Sequence, residues 1–145
     1  MSLPKPEPGL VISYAYLWAR EHGAGAEEGR KDRPCAIVAA RQVVEGREFV
    51  TVVPITHSPP ADPSHAVELP AAVKAHLGLD EMRSWVVVTE VNDFLWPGPD
   101  MRPVPGTEPP EFVYGVLPPR LFAHIRDRLL QLHRQRNLNR VPRTE

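Results

Sequence analysis

Eighteen prolines in 145 residues, more than twice the usual share of about 5%, set the terms on which this chain can fold. Proline lacks an amide hydrogen and has a fixed φ, so it breaks helices and interrupts strand ladders. Spaced through the whole chain, the prolines exclude a helical bundle and favour short strands joined by stiff loops. The expected class is mainly β with a C-terminal α-helix.

The segments between prolines fill in that expectation. Leu10 to Leu17, with Val11, Ile12, Tyr14 and Tyr16, predicts a first strand, and a polar loop follows over roughly Arg20 to Asp32. Cys35 to Val44 and Glu48 to Pro54 predict a hairpin around Glu45-Gly46-Arg47, with Gly46 at the permissive turn position. Ala66 to Leu69 reads as a short strand; Pro70 opens a brief helix carrying Val73 and Leu77, and Gly78 ends it. The apolar run at the start of Trp85 to Val91 predicts a central strand covered on both faces. The prolines from Pro97 to Pro110 then require a long loop, with Trp96 at its start, and Phe112 to Leu117 reads as an edge strand. Leu121, Phe122, Ile125, Leu129 and Leu132 recur at helical spacing after Pro118-Pro119. The expected organisation is a single domain over 1–145: a β body over about 8–117, a helix over about 119–136 and a flexible tail from 138.

One cysteine allows no internal disulfide, and Cys35 sits in an apolar run where a buried thiol is expected, consistent with a reducing compartment. Met1 to Pro8 has no apolar signal core, and no apolar run approaches the roughly 18 residues that span a bilayer. The expectation is a cytoplasmic protein with no membrane partner. The six histidines show no metal-ligand spacing with one another or with Cys35, and no phosphate loop, dinucleotide fingerprint or nucleophile elbow is present, so neither metal nor cofactor is expected. The net charge of -1 hides an asymmetry: from Pro118 onward seven arginines face Asp127 and Glu145, while the remainder carries ten basic and sixteen acidic groups. That basic patch fits either a solvated helix face or a contact with RNA or a partner.

Chemistry concentrates where two strands meet their loops. Arg33 enters one strand of the hairpin and Thr56 leaves the other. A guanidinium presents a rigid fork of donors to phosphate oxygens, and a threonine hydroxyl adds one more, so the pair reads as a phosphate site. Arg30, Lys31 and Ser58 flank it and extend it toward a nucleic-acid backbone.

The elements Pro8-Gly9-Leu10-Val11-Ile12, Arg33-Pro34-Cys35-Ala36-Ile37-Val38, Pro54-Ile55-Thr56 and Val86-Val87-Val88-Thr89-Glu90, in this order over roughly residues 8 to 133, resemble the MazF/PemK (Kid) family of bacterial toxins. The resemblance implies an SH3-like β-barrel of the MazF/PemK/CcdB type that forms a homodimer. It also implies metal-independent cleavage of single-stranded RNA to a cyclic phosphate and a 5'-hydroxyl, and a cognate antitoxin protein. It places Arg33 and Thr56 at the phosphate and gives Glu90 a proposed catalytic part. The sequence departs from the pattern in having Leu10 after the opening glycine, a longer charged loop before Arg33, and the Trp96 to Pro110 loop.

Such a reaction needs a base for the 2'-hydroxyl, donors for the non-bridging oxygens and an acid for the leaving oxygen. Arg33 and Thr56 meet the second need. For the base, both Glu90, at a strand end, and His57, an imidazole adjacent to Thr56, are candidates. His57 can share a site with Thr56 only if the strand has ended there, because adjacent strand side chains face opposite ways. Trp18, Trp85 and Trp96, with Tyr14, Tyr16 and Phe94, are the aromatic residues available to stack bases; Trp85 fits the core better, and Trp96 on its loop fits stacking or a dimer contact better. A rival class is a non-catalytic barrel that binds a protein, such as a gyrase-type inhibitor or an inactive regulatory member, which the acidic body favours.

Overall fold

The computed structural model describes residues 3–25, 31–42 and 44–143. The expected mainly β class with a C-terminal helix is what it shows. The strands are β1 (Leu10–Tyr14), β2 (Arg33–Gln42), β3 (Glu48–Thr56), β4 (Ala66–Glu68), β5 (Trp85–Val87), β6 (Glu90–Trp96), β7 (Val113–Val116) and β8 (Asn139–Pro142). The helices are α1 (Ala19–Gly23), α2 (Ala71–His76) and α3 (Pro119–Arg134). Strand order is β4-β5-β3-β2-β1-β7, with β6 beside β3 and β8 beside β6. All pairs are antiparallel except β6 with β8. Among the described residues no pairing joins the outer strands, so the sheet is open.

Strand alternation gives this sheet two apolar faces. Val11, Ala36, Val53, Ile55, Val86 and Val91 line one face, where Ile125, Leu129 and Leu132 of α3 and Leu69 and Leu77 beside α2 cover them. Leu10, Ile12, Tyr14, Cys35, Ile37, Val50, Val52, Phe94 and Trp96 build a second core on the other. Burial of both faces explains why so few polar residues interrupt β2 and β3.

The β2–β3 hairpin turns at Val44–Gly46, where Gly46 has φ 74°, a region that costs residues with a Cβ about 1 kcal/mol or more. β3 is shared along its length: residues 48–52 pair with β6, and Ile55 and Thr56 pair with β5. Its carboxyl end therefore emerges from the sheet between β2 and β5.

Four expectations need correction. The expected polar loop from Arg20 begins instead with α1. Trp85 to Val91 is not one strand: the chain breaks at Val88-Thr89, and β6 begins at Glu90. Trp96 is not on a loop but ends β6, only 9% exposed within the second core, which leaves it no ring face for stacking a base or contacting a partner. The segment after 138 is not a flexible tail, because Asn139–Pro142 adds β8, with Val141 buried.

β8 is held by polar groups that a sequence pattern does not expose. Arg143 is buried, donates to Ala15 O (2.8 Å) and Asn92 Oδ1 (3.0 Å), and meets Asp100 Oδ2 in ion-pair contact at 2.7 Å, out of line for a hydrogen bond. Arg140 Nη1 lies 2.6 Å from Asp93 Oδ1, which also accepts the Thr51 hydroxyl at 2.7 Å. Asn92 closes the network by donating to Leu17 O (2.8 Å) and accepting from Leu17 N (2.9 Å). No described helix is long and apolar enough to cross a membrane.

Candidate nucleic-acid interface at the strand ends

Sheet register brings the predicted residues together. Cys35 faces Pro54 across β2 and β3, so Arg33 and Thr56, each two residues further out, leave the sheet side by side. Tyr14 faces Arg33 on one side, and Trp85 faces Thr56 on the other, which fixes the row. Two open depressions of about 440 and 510 Å³ meet at this row and share Lys31, Arg33, Thr56 and Ser58 as lining residues. His57, Asp80 and Tyr114 belong to the first, and Trp18, Arg20 and Glu90 to the second.

Arg33 is half-buried with a guanidinium that, among the described residues, forms no ion pair; its Nε is buried with no hydrogen-bond partner. Its CZ lies 5.0 Å from the centroid of the Trp18 ring, and Arg20 approaches the same ring at 5.2 Å. Burial pulls the Arg33 pKa below its ordinary value, yet arginine stays protonated at any working pH. A partly desolvated cation lining a groove attracts an anion more strongly than one in bulk water.

Thr56 ends β3, and its Oγ1 accepts the Ser58 amide at 3.2 Å. That bond uses the oxygen's lone pair and leaves the hydroxyl hydrogen to donate. Because β3 stops at Thr56, the condition for His57 to share the site is met. His57 Nε2 lies 3.1 and 3.0 Å from the two carboxylate oxygens of Asp80.

Glu90 opens β6 on the groove wall. Its Oε1 accepts the Ala19 amide (2.8 Å) and the Tyr16 hydroxyl (3.1 Å). Desolvation pushes its carboxyl above the ordinary carboxylate range, outweighing those two hydrogen bonds and the Arg20 charge, which act the other way. A carboxyl shifted in this direction serves proton transfer near neutral pH better than an ordinary one. Burial likewise keeps the Tyr16 phenol protonated, as the donor that Glu90 needs.

Comparison with protein-family models, curated proteins and solved structures gives no match. The functional reading therefore rests on the groove itself. Arg33, Thr56, Glu90, His57, Lys31 and Ser58 all line one or both depressions. Arg30 lies outside the described residues, and Trp96 lies in the core. Of the aromatic residues, Tyr14, Tyr16, Phe94 and Trp85 are buried, whereas half-buried Trp18 lines the groove. The sequence lists Trp18 only as one aromatic among six. Its signal is position: it precedes α1, whose Glu21 carboxylate accepts the Trp18 amide at 3.2 Å and helps hold the ring beside Arg33.

Proposed function

We propose that the protein is a metal-independent endoribonuclease that cleaves single-stranded RNA to a 2',3'-cyclic phosphate and a 5'-hydroxyl. The observation that carries this reading is the half-buried Arg33 guanidinium, with no ion pair among the described residues, lining one groove with Thr56 and Glu90. Arg33 and the Thr56 hydroxyl bind the non-bridging oxygens, where charge builds as the 2'-oxygen attacks. Glu90 takes the 2'-hydroxyl proton through Oε2, since Oε1 is engaged by Ala19 and Tyr16. Trp18 offers a ring face to a base beside the scissile phosphate, and Lys31 and Arg20 hold neighbouring phosphates.

The resemblance to MazF/PemK toxins supplies the biological setting of the proposal: a cytoplasmic growth inhibitor, a homodimer restrained by a cognate antitoxin. The test is cleavage of a long unstructured RNA in excess EDTA by wild type, Arg33→Ala and Thr56→Ala, with folding of each verified by circular dichroism. Discrete cuts that fall about 100-fold or more in both variants support the reading. No cuts by folded wild type on several RNAs reject it in favour of a non-catalytic barrel that binds a protein.

A further inference from the structure

A buried lysine on a six-residue helix needs an explanation. Lys74 on α2 is 4% exposed, and a buried ammonium is costly unless it is paired. Its Nζ donates to Asp80 Oδ1 at 2.8 Å and to the Met82 carbonyl oxygen. Asp80 also accepts the Met82 amide at 3.1 Å, so its carboxylate is clamped from two directions although half exposed. The outer side of that carboxylate is where His57 Nε2 sits, in contact with both oxygens. The lysine thus fixes an anion, and the anion fixes an imidazole on the groove wall one residue from Thr56.

We propose that His57 is the general acid that protonates the departing 5'-oxygen, and that Asp80, anchored by Lys74, is the positioning residue that sets its ring. This rests on the endoribonuclease reading above. A carboxylate against Nε2 holds the hydrogen on that nitrogen and leaves Nδ1 to face a ligand. In the step itself the 2'-oxygen, losing its proton to Glu90, forms a bond to phosphorus. The bond from phosphorus to the 5'-oxygen breaks, and that oxygen takes the proton from Nδ1 of the imidazolium, leaving neutral His57 and protonated Glu90. Asp80 stays ionised throughout, because the Lys74 hydrogen bond above all, and then His57, hold its carboxyl below the ordinary range. The arrangement divides the groove by role, with Glu90 in the depression that takes the nucleophile and His57 in the one that takes the leaving group.

The deciding experiment compares two RNAs with the same sequence, one ordinary and one with sulfur replacing the bridging 5'-oxygen at the mapped cut. A thiolate leaves without being protonated, so it needs no acid. On ordinary RNA, His57→Ala is expected to lower kcat about 100-fold and Asp80→Asn about 10-fold, each with KM within about 2-fold of wild type. On the sulfur-bridged RNA all three proteins should cut at the same rate. Added imidazole should restore part of the His57→Ala activity on ordinary RNA, a rescue that a merely structural role would not give. Equal losses on both RNAs, or full activity of His57→Ala on ordinary RNA, would overturn the assignment. Wild type that cuts neither RNA would remove the nuclease reading, and this inference with it, whereas wild type that cuts both leaves that reading intact whatever the variants do.

Discussion

Glu90, the proposed base, shows what a desolvated carboxyl does to the fold. Its carboxyl is raised chiefly by desolvation, so the folded protein binds this proton more tightly than the unfolded chain. Stability from this residue therefore falls as pH rises from the ordinary carboxylate range through the raised folded pKa, and is at its lowest above it. Glu90→Gln keeps an oxygen to accept from Ala19 and Tyr16 but removes the desolvated charge. Urea melts should show the variant more stable than wild type at pH 8, by no more than about 1 kcal/mol because the group is partly solvated, and equal to it near pH 3. Its RNA cleavage should fall about 100-fold or more. A variant that is less stable at pH 8 would mean that the hydrogen bonds, not desolvation, dominate. Trp18→Leu leaves the hydrophobic contact but removes the ring that holds Arg33, so cleavage should drop roughly 10-fold with stability changed by about 1 kcal/mol at most. At this scale the sequence singled out Arg33, Thr56 and Glu90 because each sits at the end of an apolar run, and the fold brings the three to one depression. It did not single out Trp18 or the Lys74–Asp80 clamp, whose roles come from contacts between residues far apart or ordinary in pattern.

Elements were legible where one rule governs them. The hairpin followed from a glycine turn between two apolar runs, and α3 from its helical spacing with a proline start. β6 and β8 were not legible, for one shared reason: their pairing is secured by buried polar groups. Asn92 and Asp93 look like loop residues, yet both are under 4% exposed and spend their polar atoms on Leu17, Thr51, Arg140 and Arg143. Arg140 and Arg143 look like a solvated tail, yet Arg143 fills the space between Tyr14, Ala15 and Asp100, its CZ 5.3 Å from the Tyr14 ring. Removing one partner of such a cluster strands the rest. Arg143→Met should cost about 3–5 kcal/mol in urea denaturation, because the Asp100 carboxylate and the Ala15 carbonyl stay buried. Adding Asp100→Asn should recover at least about 1 kcal/mol, an interaction energy readable from the double-mutant cycle. Simple additivity of the two substitutions would show that the ion pair is not what holds β8.

The whole molecule carries nearly balanced charge, -1 overall, so the proposed attraction to RNA would have to come from local arrangement. Two places concentrate cations. One is the groove, with Arg20, Lys31 and Arg33 on its lining; the other is the C-terminal region, where Arg134 and Arg136 are exposed and line neither depression. By count alone the second stands out more, with seven arginines in a short stretch against four cations among the fourteen residues from Arg20 to Arg33. Folding reverses that weighting: Arg140 is committed to Asp93 and Arg143 to Asp100, so much of the apparent patch is internal structure. Salt dependence separates the two places. Three phosphate contacts on a single strand predict a slope of log Kobs against log salt of about -2, at roughly 0.7 per contact. Measured with Glu90→Gln to prevent cleavage, Lys31→Ala or Arg20→Ala should each flatten the slope by about 0.7, while Arg134→Ala with Arg136→Ala should leave it unchanged. The opposite result would place RNA on the helix end, where a cut could not be made by Arg33 and Thr56, and would turn the groove from a phosphate site into a site for some other anion.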